Sequence, residues 1–63
     1  MKMMQLYEWS DDDEIIESQY GTITCREWIE HEFNRIVSDT NRVAEVREKG
    51  HKVTLFVNQV RAG

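Results

Sequence analysis

The hydrophobic and polar positions of the first twenty residues predict two strands. Residues 3–9 are rich in bulky and aromatic side chains, and residues 14–18 place two isoleucines between acidic residues. Residues 10–13, which read Ser-Asp-Asp-Asp, are typical of a turn because Ser and Asp side chains hydrogen-bond to nearby backbone. The two strands are therefore predicted to pair as a hairpin.

A helix is predicted to begin after Thr24. Thr24 and Glu27 have the spacing of a capping box, in which each side chain bonds to the other residue's backbone N–H. Ile23 and Trp28 are placed for the accompanying hydrophobic staple. The residues that then recur at helical spacing are Trp28, Ile29, Phe33, Ile36, Val37, Thr40, Val43 and Ala44. We expect one helix over residues 25–49, ended by Gly50.

Residues 51–61 alternate apolar and polar side chains, which predicts a final strand. The predicted fold class is α+β, with the order β-β-α-β in a single domain over residues 1–63. It comprises a three-stranded, mostly antiparallel sheet with one long amphipathic helix on one face. One helix covers only one face of such a sheet, so the other face is expected to meet solvent or a partner.

The predicted helix is long for so short a chain. Twenty-five residues make a helix of about 37 Å, whereas a compact chain of this length is about 27 Å across. The helix therefore either bends or breaks at residues 38–41, which are weak helix formers, or it projects toward another subunit. Because the apolar stripe keeps its phase through 38–41, we favour a continuous helix and a homodimer. The expected dimer contacts are Phe33, Ile36, Thr40 and Val43.

Composition bounds the function classes. The chain has 63 residues, 12 acidic and 8 basic, with a net charge of −4. No run approaches the roughly 20 apolar residues of a membrane-spanning helix, and one cysteine cannot form an internal disulfide. We expect a cytoplasmic protein. No combination of nucleophile, base and oxyanion donor is recognisable, so an enzyme is the least expected class.

The charge is divided unevenly along the chain. Residues 1–32 carry nine acids and two bases, a net charge of −7, whereas residues 33–63 carry three acids and six bases, a net charge of +3. An acidic half favours a basic partner and disfavours anionic ones. We therefore expect a protein partner with a basic surface, and neither a membrane nor direct binding of nucleic acid.

Two features suggest chemistry but have simpler interpretations. The acidic run 11–14 could attract a hard cation, yet it lacks the ligand spacing and the glycine of a calcium loop. No metal or cofactor is expected. Cys25 would need a positioned base to act as a nucleophile, and His31 lies on nearly the opposite side of the predicted helix. We predict a packing role for Cys25.

The acids and aromatics of the N-terminal half predict an interaction surface. If the aliphatic residues of the strands face the helix, alternation turns Tyr7, Trp9 and Phe56 outward, beside the acidic hairpin. The expected partner-binding residues are Tyr7, Glu8, Trp9, Asp11, Asp12, Asp13, Glu14, Glu17 and Phe56. They suggest an inhibitor that blocks a basic nucleic-acid-binding surface by imitating DNA phosphates. Small inhibitors of phages and mobile elements, anti-CRISPR proteins among them, commonly act in this way.

Two alternatives remain open from the sequence. The protein could be a homo-oligomeric structural or regulatory module, antitoxin-like, in which the helix and the aromatics pair with another copy. It could also bind nucleic acid weakly through its C-terminal half. There Arg35, Arg42 and Lys49 recur every seven residues, on one side of the predicted helix.

Overall fold

The computed structural model describes residues 2–59. Within them lie five strands and one helix: β1 (Met3–Trp9), β2 (Ile15–Ser18), β3 (Gly21–Thr24), α1 (Cys25–Thr40), β4 (Ala44–Lys49) and β5 (Lys52–Asn58). The α+β class is confirmed, whereas the order is β-β-β-α-β-β rather than β-β-α-β. Residues 60 and 61 of the predicted last strand lie outside the described residues. None of the described helical residues form a segment long and apolar enough to cross a membrane.

The strands form two antiparallel sheets, one with the order β1-β5-β4 and one of β2 and β3. The predicted hairpin between the first two strands is wrong. β2 turns back immediately onto β3, in a turn closed by Ser18 and Gly21. The Ser18 hydroxyl donates to the Gly21 carbonyl and accepts from the Tyr20 N–H, and Gly21 has a positive φ of 102°. This local closure leaves β1 to pair with β5, which is distant in sequence.

The helix begins where the sequence predicts. Thr24 is the N-cap of α1, and both bonds of the capping box form. The Glu27 N–H donates to the Thr24 hydroxyl at 3.2 Å, and the Thr24 N–H donates to the Glu27 carboxylate at 3.4 Å. Both partners lie within four residues, so this boundary depends on local chemistry alone.

The helix ends nine residues before its predicted end. Asn41 caps α1 in the left-handed conformation, with φ 57°. Asn tolerates this conformation better than most residues. Residues 44–49 form β4 instead, in which half-buried Ala44 and Val46 alternate with exposed residues. Gly50, with φ 62°, lies in the two-residue turn between β4 and β5 rather than at a helix end.

Because the helix is shorter than predicted, its length no longer supports self-association. Sixteen residues of α-helix span about 24 Å, well within the 39 Å long dimension of the described chain. No part of α1 needs to project beyond the sheet. The homodimer stays a prediction, without this support.

α1 packs on one face of the β1-β5-β4 sheet. The buried core consists of Ile29, Ile36, Val53, Leu55 and Val57. The partly buried residues packed against it are Tyr7, Trp9, Trp28, Phe33, Ala44 and Val46. The valines and leucine of β5 therefore face the helix as predicted.

The predicted outward orientation of Tyr7 and Trp9 is not found. Their rings meet Trp28 of α1 edge to face, with centroids 4.7 Å and 5.8 Å apart. The cause is a bulge in β1, where the pairing register shifts between Gln5 and Tyr7. An extra residue in a strand reverses the face on which the following side chains lie. The bulge thus turns both aromatics toward the helix.

Candidate functional site: the acidic loop and the outer groove

The acidic loop, residues 11–14, connects β1 to β2 and has a defined backbone. The Asp11 carboxylate accepts the Asp13 N–H at 3.0 Å, and the Asp11 carbonyl accepts the Glu14 N–H at 3.2 Å. The Glu14 carbonyl in turn accepts the Cys25 N–H at 2.9 Å. The loop is therefore hydrogen-bonded internally and attached to the first residue of α1.

Asp12 anchors this loop to two other elements. It is only 5% exposed. Its carboxylate accepts a hydrogen bond from the Arg26 guanidinium at 3.1 Å, and its other oxygen lies 3.4 Å from Nδ1 of His51. Its backbone N–H donates to the His51 carbonyl at 2.7 Å, and its carbonyl accepts the Arg26 N–H at 3.0 Å. Asp12 is thus a structural contact and not a free surface charge.

These contacts set the acidity of Asp12. Burial on its own would raise the pKa of this carboxyl, but hydrogen bonds from Arg26 and His51, and their charges, act in the opposite direction. The pKa of Asp12 lies below its ordinary value of 3.8 as a result. The carboxylate is therefore ionised throughout the neutral range.

The other side chains of the acidic loop point to solvent. Asp11, Asp13 and Glu14 are all exposed, and among residues 2–59 none of them forms an ion pair with lysine or arginine. Only His51 approaches Asp13, with 3.9 Å between Nδ1 and the carboxylate. The loop therefore presents three carboxylates on a backbone that Asp12 holds in place.

The remaining predicted partner-binding residues are dispersed. Glu17 is exposed on β2. Glu8 lies on the sheet face away from α1, where its carboxylate is 3.5 Å from the Lys52 ammonium. Phe56 lies on the same outer face, whereas Tyr7 and Trp9 pack toward the helix. The structure therefore brings together the acids of residues 11–14, without the aromatic cluster expected beside them.

The acidic loop also gathers atoms that could contact a metal ion. One potential ligand atom from each of Asp11, Asp12, Asp13 and His51 lies within 4.8 Å of the others. The Asp12 carboxylate is already shared by Arg26 and His51, and Asp11 accepts the Asp13 N–H. Because these donors already hold the loop together, the grouping does not by itself make a metal centre.

Cys25 has the character of a packing residue. Its side chain is fully buried. Burial, followed by the charges of Glu14, Asp11 and Asp12, raises the pKa of the thiol, which opposes formation of the nucleophilic thiolate. His31, the base considered from sequence, stacks on the Tyr20 ring at 4.6 Å between centroids.

The buried carboxylate of Glu32, which is 2% exposed, is not among the features predicted from the sequence. One oxygen accepts from the Tyr20 hydroxyl at 3.1 Å and the Gln19 amide at 3.4 Å, and the other accepts two bonds from Arg35 at 2.6 and 3.1 Å. This contact, chiefly its hydrogen bond, raises the pKa of Arg35. The sequence does contain a signal for this burial, because Glu32 is spaced with Ile29 and Ile36 on the apolar helix face.

The outer groove is a second feature that the sequence pattern does not predict. This name denotes the space of about 360 Å³ lined by Gln5, Arg47, Glu48, Lys49, Lys52, Thr54 and Phe56. The Arg47 guanidinium lies 4.2 Å above the centre of the Phe56 ring. A prediction that places residues 44–49 in the helix cannot bring their cations beside those of β5.

The predicted basic stripe and the predicted dimer contacts do not form continuous helix faces. Arg35 is on α1, Arg42 is in the connection after it, and Lys49 is on β4. Of the dimer contacts, Ile36 is buried in the core and Phe33 packs against it. Thr40 and Val43 are exposed, and Val43 follows the helix.

Comparison with models of protein families gives no match, and comparison with curated proteins and with solved structures gives no significant match. Within residues 2–59, the acidic loop and the outer groove are the surfaces with distinctive chemistry.

Proposed function

We propose that this protein is a small, non-enzymatic binding protein whose acidic loop docks on a basic surface of a partner protein. The main support for the proposal is the difference in burial and bonding among the carboxylates of the loop. Asp12 is buried and bonded to Arg26 and His51, while Asp11, Asp13 and Glu14 are exposed with no lysine or arginine partner among the described residues. The loop thus presents carboxylates in a fixed arrangement.

A fixed arrangement of like charges suits recognition of a surface that binds phosphates. Side chains on an ordered backbone lose less conformational entropy on binding than those on a mobile loop. Complementary charge also speeds association and selects against acidic partners. We propose that the carboxylates occupy positions where the partner holds nucleic-acid phosphates, so the protein inhibits by competition. Small inhibitors of phages and mobile elements, anti-CRISPR proteins among them, commonly act in this way.

The test reverses loop charges without touching the support of the loop. Asp13→Lys/Glu14→Lys changes the charge by four and leaves Asp12 and the backbone contacts in place. The matched control, Glu30→Lys/Asp39→Lys, makes the same charge change on exposed helix positions whose side chains form no hydrogen bond or ion pair among residues 2–59. Each protein is used to capture partners from a lysate of its natural host, followed by mass spectrometry.

The proposal expects a nucleic-acid-binding protein that the wild type and the helix control capture and the loop variant does not. Purified, this partner should bind the wild type directly, and DNA should compete. Equal capture by the loop variant, or binding that DNA does not affect, would contradict the proposal. Because Asp12→Lys would break a buried contact, it is unsuitable for this test.

Self-association is a second candidate, in which the protein acts as an antitoxin-like regulatory module. It is supported by two exposed aliphatic side chains near the end of α1, Val37 at 41% and Val43 at 49% exposure. Light scattering over a dilution series tests it. A mass that stays at that of one chain at every concentration would contradict it, whereas a dimer that Val37→Ser/Val43→Ser dissociates would support it.

A further inference from the structure

The outer groove lies on the sheet face that no described helix covers. Residues directly opposite on neighbouring antiparallel strands share a face. Glu45, Arg47 and Lys49 of β4 are opposite Phe56, Thr54 and Lys52 of β5. On the other side of β5, Gln5 of β1 is opposite Phe56. The groove is therefore built across the three strands of one sheet, which fixes its side chains relative to one another.

The charge of the groove is positive, in contrast to the protein as a whole. Three of its lining residues are cations, and the only acid among them is Glu48. The Glu48 carboxylate is directed to Arg26, at 2.8 Å, and shares that guanidinium with Asp12. Glu45 and Glu8 pair with Arg47 and Lys52 at exposed positions beside the groove. Exposed pairs of this kind are weak enough for a phosphate to compete with them.

Two lysines of the groove stand directly opposite each other. Lys49 and Lys52 are the cross-strand partners that close the β4–β5 turn. Like charges in this arrangement destabilise a hairpin, and Lys49 forms no ion pair within the described part of the chain. An anion bound between the two ammonium groups would relieve the repulsion. Because Lys52 already has the Glu8 carboxylate 3.5 Å away, Lys49 is the charge of this pair that is left for an anionic ligand.

The groove also provides a flat surface for stacking. The guanidinium of Arg47 lies over the Phe56 ring, and the Arg47 side chain is 57% exposed. Its outer side is free to receive another planar group. Nucleic-acid bases in single strands stack on aromatic rings and on arginine planes, while adjacent cations follow the phosphates. In a duplex the bases are paired and stacked on each other, and such a surface could not reach them.

We propose that the outer groove binds single-stranded nucleic acid, with a base stacked on Arg47 and neighbouring phosphates on Lys49 and Lys52. This inference departs from the favoured expectation of no direct nucleic-acid binding and takes up the alternative that the C-terminal half binds nucleic acid. It does not depend on the acidic loop or on a basic helix stripe. It rests on three cations of one sheet face, of which Arg47 also offers a stacking plane and Lys49 and Lys52 lie opposite each other.

The test measures fluorescence anisotropy of a labelled oligothymidylate of about 12 nucleotides, with increasing amounts of the full chain, between about 50 and 200 mM salt. Arg47→Lys keeps the positive charge and removes the planar guanidinium group. Lys49→Ala/Lys52→Ala removes two phosphate contacts. Two single variants, Lys2→Ala and Lys2→Glu, are controls, because Lys2 is an exposed cation that does not line the groove. Circular dichroism confirms that every variant is folded.

Arg47→Lys should weaken binding about ten-fold with an unchanged salt dependence. Lys49→Ala/Lys52→Ala should weaken binding and reduce the salt slope by about 1.4, since each phosphate contact to a single strand contributes about 0.7. Absence of binding at the lowest salt would overturn the proposal. It would also be overturned if Lys2→Ala weakened binding as much as the groove variants, or if a duplex bound as tightly as the single strand.

Discussion

The acidic loop and the middle of α1 each place chemically similar carboxylates in opposite environments, one buried and the others exposed. In the loop one carboxylate, that of Asp12, is buried and its neighbours are exposed; on the helix Glu32 is buried while Glu30 faces solvent. Each buried carboxylate accepts a hydrogen bond from an arginine, Arg26 or Arg35. A count of acids in the N-terminal half therefore overstates the charge that is available to a partner.

The two buried carboxylates join segments that have little core of their own. β2 and β3 are strands of four residues each, and a two-stranded hairpin is marginally stable alone. Glu32 attaches their turn to α1 through Gln19 and Tyr20. Asp12 attaches the acidic loop to α1 through Arg26 and to the β4–β5 turn through His51. The comparison teaches that burial, and not position in the acidic half, separates structural acids from binding ones.

The largest effect is expected from Glu32→Ala. It removes the charged acceptor of the half-buried Tyr20 hydroxyl and of Arg35, and such a loss costs about 2–3 kcal/mol. In a chain of this size we expect the melting temperature to fall by about 10–20 °C. Glu30→Ala, the exposed control, should change stability by less than about 0.5 kcal/mol. Equal losses in urea unfolding would contradict the distinction between the two glutamates.

Asp12→Asn should have the next largest effect. The amide keeps one acceptor oxygen but loses the charge that Arg26 and His51 face, so the loop is held less firmly. We expect a melting temperature below that of the wild type and above that of Glu32→Ala. Asp13→Asn, one residue along the same loop, should leave it nearly unchanged. Thermal unfolding followed by circular dichroism at neutral pH measures all three.

The contribution of Asp12 should depend on pH in a defined direction. Its pKa in the folded state lies below 3.8, so the folded protein binds this proton less readily than the unfolded chain. The stabilisation is then fully present above about pH 4 and is lost as the pH falls through the folded-state pKa. The difference in melting temperature between wild type and Asp12→Asn should shrink as the pH falls below about 4. A difference that grows below about pH 4 would contradict this assignment.

The smallest effect on stability is expected from Asp13→Lys/Glu14→Lys. Both side chains are exposed, and the backbone bonds of the loop do not require them. We expect unfolding to change by less than about 0.5 kcal/mol per substitution, although the charge of the loop reverses. A large loss of stability would mean that these acids support the fold and are not free for a partner.

Local signals predicted the start of the helix but not its end. Thr24 and Glu27 satisfy each other's backbone, so their capping box needs no other part of the chain. At residues 43–47 the side chains fit both a continuing helix and a strand, and the weak helix formers at 38–41 allowed a break without requiring it. Pairing with β5 decided between the two, because β5 is a seven-residue strand whose Val53, Leu55 and Val57 face α1.

The candidate sites also contain features that local sequence predicts and features that it does not. Exposed acids at 11–14 could be predicted because they are adjacent in sequence and too polar to enter a core. The burial of Asp12 could not, since its partners Arg26 and His51 are 14 and 39 residues away. The outer groove was also beyond prediction, because it needs β4 as a strand beside Lys52 and Phe56.

By itself, the sequence determined the α+β class, the acidic character of the loop and the helix start at Thr24. These features depend on composition, alternation and contacts within a few residues. The tertiary structure alone decided that β1 pairs with β5 through a bulge, which turns Tyr7 and Trp9 inward. It also decided which carboxylates are buried. The physical reason is that strand register and burial depend on contacts between distant residues, whose free energies a local pattern does not contain.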